Sequence, residues 1–380
     1  MALPALLYLH IPFCLRKCAY CDFYSESGHS EEERYFYVQA MIAELHSEAR
    51  HWRDYQFDSI YFGGGTPSLL GLSDITALMT AISRHYSLAP DLEVSLEANP
   101  GTIKIQHLAG LRDAGINRVS LGVQSFHDGE LALLGRSHTV ADSISCLEAL
   151  TPAGFDNFNI DLIYGLPGQS LERWQYSLSM AADINCSHLS VYLLQLEAQT
   201  PMGQAVERGE MILPEEDEQA EYYTGARDAL AARAYTQYEL SNFARSGKIC
   251  RHNVGYWNMQ EYLGVGAGAV SRQGYQRRLN SGSLSDYIQS WRCGTAVART
   301  ILEEMAAEDL LSEGLILGLR MLRGVDIGGL ERRFHRRLSA TQWEGIEYCR
   351  EAGLLAWEDD RLQLTSRGLF LSNQVLRLLI

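Results

Sequence analysis

Tyr8-Leu-His-Ile-Pro-Phe-Cys14-Leu-Arg-Lys-Cys18-Ala-Tyr-Cys21-Asp-Phe23 places three of the chain's eight cysteines in one short loop, spaced Cys-x3-Cys-x2-Cys, directly after an apolar run that reads as a strand. Three thiolates from such a loop can hold three irons of a cubane cluster, whereas iron–sulfur clusters usually take four protein ligands. No fourth cysteine follows nearby, since position 22 is Asp and position 23 is Phe. One iron would be left open to a small chelating ligand. Two plainer readings stand beside this one. Spaced i, i+4 and i+7, the cysteines could line one buried face of a helix, or they could join His10 in a closed Cys3His zinc site.

The stretch resembles the signature of the radical S-adenosylmethionine (SAM) superfamily. That resemblance implies a [4Fe-4S] cluster on Cys14, Cys18 and Cys21, with SAM bound through its amino and carboxylate groups at the open iron. It also implies an external electron donor wherever SAM is cleaved.

Composition narrows the setting. A chain of 380 residues, 46% hydrophobic and 21% charged, is that of an ordinary globular protein with a large core. The net charge of 32 − 47 = −15 argues against a bulk nucleic-acid binder, which needs basic surface to displace counterions. No apolar run approaches the roughly 18 residues of a membrane span, and the N-terminus lacks the basic region of a signal peptide. Outside the loop, Cys146, Cys186, Cys250, Cys293 and Cys349 are scattered singly. This is no disulfide framework, and it suits a reducing cytoplasm.

From the loop onward, short β-branched runs alternate with helical patterns. The runs Leu6–Ile11, Ser59–Phe62, Leu92–Glu97, Arg118–Val123, Asn157–Tyr164 and His188–Leu193 are predicted strands; 31–52, 73–86, 102–115, 139–153 and 170–183 are predicted helices. Such alternation predicts an α/β fold with a parallel sheet curled into a partial (β/α)6 barrel. Sites on such sheets collect at the carboxyl ends of the strands. There the chain places Gly63-Gly-Gly65-Thr66-Pro67, Glu97-Ala-Asn99-Pro100-Gly101, Gly122-Val-Gln124-Ser125-Phe126 with Arg136 beyond it, and Asn159-Ile-Asp161-Leu-Ile-Tyr-Gly165-Leu-Pro167. Adjacent glycines let backbone approach a ligand; the Gly-Lys-Ser/Thr ending of a phosphate loop is absent. An Asp within an apolar strand needs a partner, so Asp161 is expected to have one.

Together these motifs resemble the oxygen-independent coproporphyrinogen III oxidase group over nearly the whole chain. By that resemblance Tyr8, Gly64 and Glu97 would contact one SAM, while Tyr20, Gly65, Thr66, Gln124, Arg136 and Asp161 would line a second site. The oxidase itself carries a further cysteine where Phe23 stands and a longer arm than the thirteen residues preceding Cys14. Both departures resemble the radical SAM haem chaperone branch instead, as does His252-Asn253-Val-Gly-Tyr256-Trp257. A neutral imidazole is a good axial ligand for haem iron, and Tyr and Trp offer flat apolar surface to a porphyrin. The competing reading of that motif is a helix cap with aromatics in the core; Cys250 ranks below His252 as a haem ligand.

Three regions are expected: a radical SAM partial barrel over 1–235, a bridge over 236–300 and a C-terminal winged-helix-like domain over 301–380. In the bridge, Tyr262-Leu-Gly-Val-Gly-Ala-Gly-Ala269 suits either close backbone packing or a ligand loop. The tail reads as three helices, a hairpin over Leu354–Thr365 and a final helix. It carries ten Arg against thirteen Asp plus Glu and an acidic tip, Glu358-Asp359-Asp360; an acidic wing is unsuited to phosphate, so a lid or docking role is expected. The resemblance implies a cytoplasmic haem carrier with haem and a haem-acceptor protein as partners, and leaves a homodimer and SAM cleavage open. The rival is an enzyme acting on a tetrapyrrole, and Phe23 weighs against coproporphyrinogen oxidation.

Overall fold

A computed structural model describes residues 2–379. Six strands build the heart of the fold: β1 (Leu3–Ile11), β2 (Tyr55–Gly64), β3 (Ser87–Ala98), β4 (Arg118–Gln124), β5 (Phe158–Tyr164) and β6 (His188–Leu193). They lie side by side in chain order and all pair in parallel. The crossovers run through helices Glu31–Glu48, Leu72–His85, Leu108–Asp113, Val140–Leu150 and Leu171–Asp183. The expected α/β architecture is therefore present, strand by strand. Local chemistry starts the helices: Ser30 with Glu33, and Thr139 with Asp142, form reciprocal capping boxes that satisfy the first free N–H groups.

The strands alternate with a period of two. One face carries Leu7, Leu9, Ile60, Phe62, Val94, Leu96, Val119, Leu121, Ile160, Leu162, Leu189 and Val191, buried in the main hydrophobic core. The residues between them, including Ser59, Tyr61, Glu93, Ser95, Arg118, Ser120, Asn159, Asp161, His188 and Ser190, point the other way, into the barrel. A polar interior is stable only when its groups find partners. Here Asn159 donates through Nδ2 to Ser120 Oγ (2.7 Å) and Asp161 (2.8 Å). His188 Nδ1 donates to Asn159 Oδ1 (2.6 Å), and its Nε2 accepts from Tyr238 OH (2.8 Å).

Residues 236–304 extend the same sheet at both edges. On one side β8 (Asn242–Ala244) pairs antiparallel with β6 and with the short β7 (Thr236–Gln237). On the other, β9 (Glu261–Val265) pairs parallel with β1 and continues antiparallel through β10 (Val270–Gln273), β11 (Gln276–Asn280) and β12 (Arg299–Glu304), giving twelve strands. The glycine-rich run belongs to packing. A Cβ on Gly264 would lie 2.1 Å from the Val270 carbonyl, and Gly266, at φ +111°, would strike Tyr37 and the His10 carbonyl. Buried Glu44 clamps this edge, pairing with Arg299 (2.6 Å) and accepting from Asn280 (2.8 Å) and Tyr287.

The tail has its own apolar core, centred on Leu311, Leu315, Ile346, Cys349, Leu362 and Val375. Helices Ala307–Leu319, Ile327–Phe334 and Ala340–Glu351 precede an antiparallel hairpin of Leu355–Glu358 with Arg361–Leu364, then helices Ser366–Phe370 and Ser372–Arg377. Asp359 and Asp360 both have positive φ, as a tight two-residue hairpin turn requires. Among the described residues no helix is long and apolar enough to cross a membrane.

Candidate functional site

A cavity of about 550 Å³ opens at the carboxyl ends of the parallel strands. The cysteine loop forms one wall, closed at its base where Phe13–Cys14 pairs in parallel with Glu26–Ser27. Cys14, Cys18 and Cys21 are free, partly exposed and line this cavity together. Thr66 Oγ1 donates to Cys14 Sγ and Arg136 Nη1 to Cys18 Sγ, both at 3.6 Å. Burial, the main influence on Cys21, pushes its thiol up.

The thiols fit a cluster better than the alternatives. Among the described residues, no three His, Cys, Asp or Glu side chains converge on a single ion position, as a compact zinc site would require. His10 is not available as a fourth ligand. Its Nδ1 pairs with Tyr8 OH (3.1 Å), its Nε2 with the Tyr24 carbonyl (3.1 Å), and it is buried. The cysteines also sit on an irregular loop, so they line no helical face.

Gly64 and Gly65 bring backbone against this loop. Gly64 has φ +114°, and a Cβ there would lie 2.6 Å from the His10 ring; on Gly65 it would lie 2.7 Å from the Phe13 carbonyl and 3.1 Å from Cys14 Sγ. Glu97 accepts from the Gly64 N–H (3.1 Å) and Tyr61 OH (2.8 Å). Burial pushes its carboxyl up to about 7, the Tyr61 hydrogen bond opposing the rise. Arg136 reaches back from its loop to donate to the Gly122 carbonyl (2.7 Å) and to Asn99 Oδ1. Gln124 adopts φ 69°, an uncommon conformation for a non-glycine residue, and its Oε1 has no partner. Asp161 has the expected partners, Asn159 and Ser120, with burial raising its pKa.

Thus the structure gathers Tyr20, Gly64, Gly65, Thr66, Glu97, Gln124, Arg136 and Asp161 with the three cysteines on one cavity. It does not bring Tyr8 or His252 to its surface. Tyr8 lies within the barrel, stacked on Tyr61 at 6.3 Å between ring centroids. His252 is 1% exposed on helix Arg251–Trp257. Its Nδ1 pairs with Ser59 Oγ (2.8 Å), its ring stacks on Tyr61 (4.9 Å) and meets Tyr256 edge-on (4.9 Å). Glu93 holds the backbone N–H groups of Arg251 (3.0 Å) and His252 (3.1 Å). Burial, helped by Arg118, lowers the imidazole to about 3, so it is neutral, and Nε2 has no partner. Cys250 is fully buried.

The cavity also uses Asn99 and Asn159, which stand in the quoted motifs without an assigned role, and Arg118, Ser120, Ser190 and Tyr192, which lie outside them. Their signal was present: polar residues at every second position of strands whose other positions are apolar.

Comparison with known proteins agrees with this geometry. Residues 8–181 match the family model of the Radical SAM superfamily and residues 305–371 that of the HemN C-terminal domain. The Heme chaperone HemW of Mycobacterium tuberculosis is 36% identical over 378 residues, covering 98% of this chain and 94% of that protein. The protein of the same name from Bacillus subtilis is 33% identical, with 97% of each chain covered. The solved structure of coproporphyrinogen III oxidase (HemN) from Escherichia coli superposes with a TM-score of 0.85 at 24% identity, over 100% of this chain and 90% of that one, and shows a shared fold. Membership of the superfamily implies SAM and a [4Fe-4S] cluster. With its cysteine loop, its sheet and its full-length relatives, the chain belongs to the HemW haem chaperone family of radical SAM proteins.

Proposed function

We propose that this protein is a cytoplasmic haem chaperone that binds haem and passes it to an acceptor protein. One observation carries the reading: three free thiols and eight ligand-suited residues share one cavity in a chain whose relatives, named haem chaperones, match nearly its whole length. Cys14, Cys18 and Cys21 would hold the cluster. When bound, the cluster supplies a Lewis-acidic iron and one-electron redox chemistry. Thr66 and Arg136 donate toward two of the sulfurs. Gly64 and Gly65 let main chain approach the methionyl end of SAM, and Glu97 accepts hydroxyl groups once ionised. Tyr20, Gln124 and Asp161 line the remaining space. His252 is the proposed axial ligand to haem, reached when helix Arg251–Trp257 leaves Ser59 and Glu93.

Anaerobic titration of cluster-reconstituted protein with haem, followed by absorption, tests the proposal beside a coproporphyrinogen turnover assay. Stoichiometric haem binding without turnover is expected. Turnover without haem binding would make the protein an oxidase and end the carrier reading.

A further inference from the structure

Deep in the barrel, at the amino-terminal start of β4, lies Arg118. It is 2% exposed, lines the cavity, and its Nε has no hydrogen-bond partner. Gln124, at the other end of the same strand, is six residues further on, up to roughly 20 Å of extended chain. Arg118 thus marks the floor, and the cysteine loop the mouth.

Burial works against its charge and the nearby Cys250 and Glu93 outweigh that electrostatically, but no acceptor reaches its Nε, and a buried donor left unmet is costly. Glu93, Glu97 and Asp161 lie near enough to act on it electrostatically, but each directs its hydrogen bonds elsewhere. Glu93 holds the N–H groups of Arg251 and His252; Glu97 takes Tyr61 and Gly64; Asp161 takes Ser120 and Asn159. Among the described residues Arg118 forms no ion pair, in contrast to Arg299, which is tied to Glu44 and Glu48. Its planar fork suits two oxygens in one plane. With Glu97 and Asp161 on the same walls and no second cation at this depth, the surroundings suit a singly charged acid and not a phosphate dianion.

We propose that Arg118 is the carboxylate-recognition point of the cavity, gripping an acid group that a bound ligand carries down to the barrel floor. Ser120, Asn159, Ser190 and Tyr192 line the same cavity with neutral polar groups, the first three hydrogen-bonded among themselves and to Asp161. The inference rests on the haem-chaperone reading for its two sources of a carboxylate: the amino-acid end of a second SAM, one not held at the open iron, and the propionates of haem.

The test measures binding to cluster-reconstituted wild type, R118Q and R118K. Its probes are SAM against decarboxylated SAM, and haem against haem dimethyl ester; iron and sulfide per chain serve as the check on folding. R118Q should weaken binding of the acid form roughly 10- to 100-fold and leave its carboxylate-free counterpart unchanged. The pair in which this happens identifies the source. R118K, keeping charge but not the fork, should fall between, and decides the matter if R118Q fails to assemble its cluster. Equal weakening of acid and counterpart, or unchanged binding of both acids, would overturn the inference while the chaperone reading stands. Wild type binding neither SAM nor haem would overturn both.

Discussion

Cys14, Cys18 and Cys21 sit partly exposed on an irregular loop with two sulfurs already facing donors, whereas His252 is sealed in a helix beneath the same cavity. Both regions contain good metal ligands. The loop presents its donor atoms on the cavity wall. The helix hides its free nitrogen behind a hydrogen bond to Ser59, a backbone grip from Glu93 and two aromatic rings. A ligand that needs His252 must first displace those contacts, which makes the binding-competent state a minority and lowers apparent affinity in proportion. On the proposed reading, an open site beside a latched one suits a carrier that must also release its cargo.

The largest expected effect is on the open site. Cys18→Ser should abolish the cluster, read as iron and sulfide per chain; undiminished content would break the contrast outright. Next comes the carboxylate between the two regions. Because the Glu97 pKa of about 7 lies above its ordinary 4.5, the folded protein keeps this proton longer than the unfolded chain. Its contribution is therefore intact below about pH 4.5 and falls as pH rises toward 7, by up to about 3 kcal/mol. Denaturation across that range should show the slope in wild type and lose it in Glu97→Gln; an equal slope in both would place the cause elsewhere.

The latched site is tested by a pair. His252→Ala should remove the haem Soret shift, while Ser59→Ala, which only loosens the latch, should raise apparent haem affinity by about fivefold, the worth of one neutral hydrogen bond. Parallel loss of binding in both variants would mean that His252 is structural. The smallest effect is expected at the rim. Phe23 is 72% exposed, so Phe23→Ser should change stability by less than about 0.5 kcal/mol and leave iron content unaltered; a lost cluster would show the rim to be part of the open site.

Much of the fold is legible in the residues. The six parallel strands and five crossover helices follow from local periodicity and caps such as Ser30 with Glu33, which depend only on near neighbours in the chain. The edge strands of residues 236–304 are harder to read. β7 and β8 are too short to show a period, and β9 pairs with β1, some 250 residues earlier in the chain. The tail is readable because its helices and hairpin are again local units.

The site divides in the same way. Sequence by itself determined the cysteine spacing, the missing fourth thiol, the glycines at the loop and the acidic balance, because each is read from local spacing or from composition alone. Only the tertiary structure decided that polar residues of five strands meet in one interior, that Arg118 is left there without a partner, and that His252 is shut away from the cavity it lies beside. Burial and pairing depend on what other segments bring to the same place, and that is set by how the strands pack.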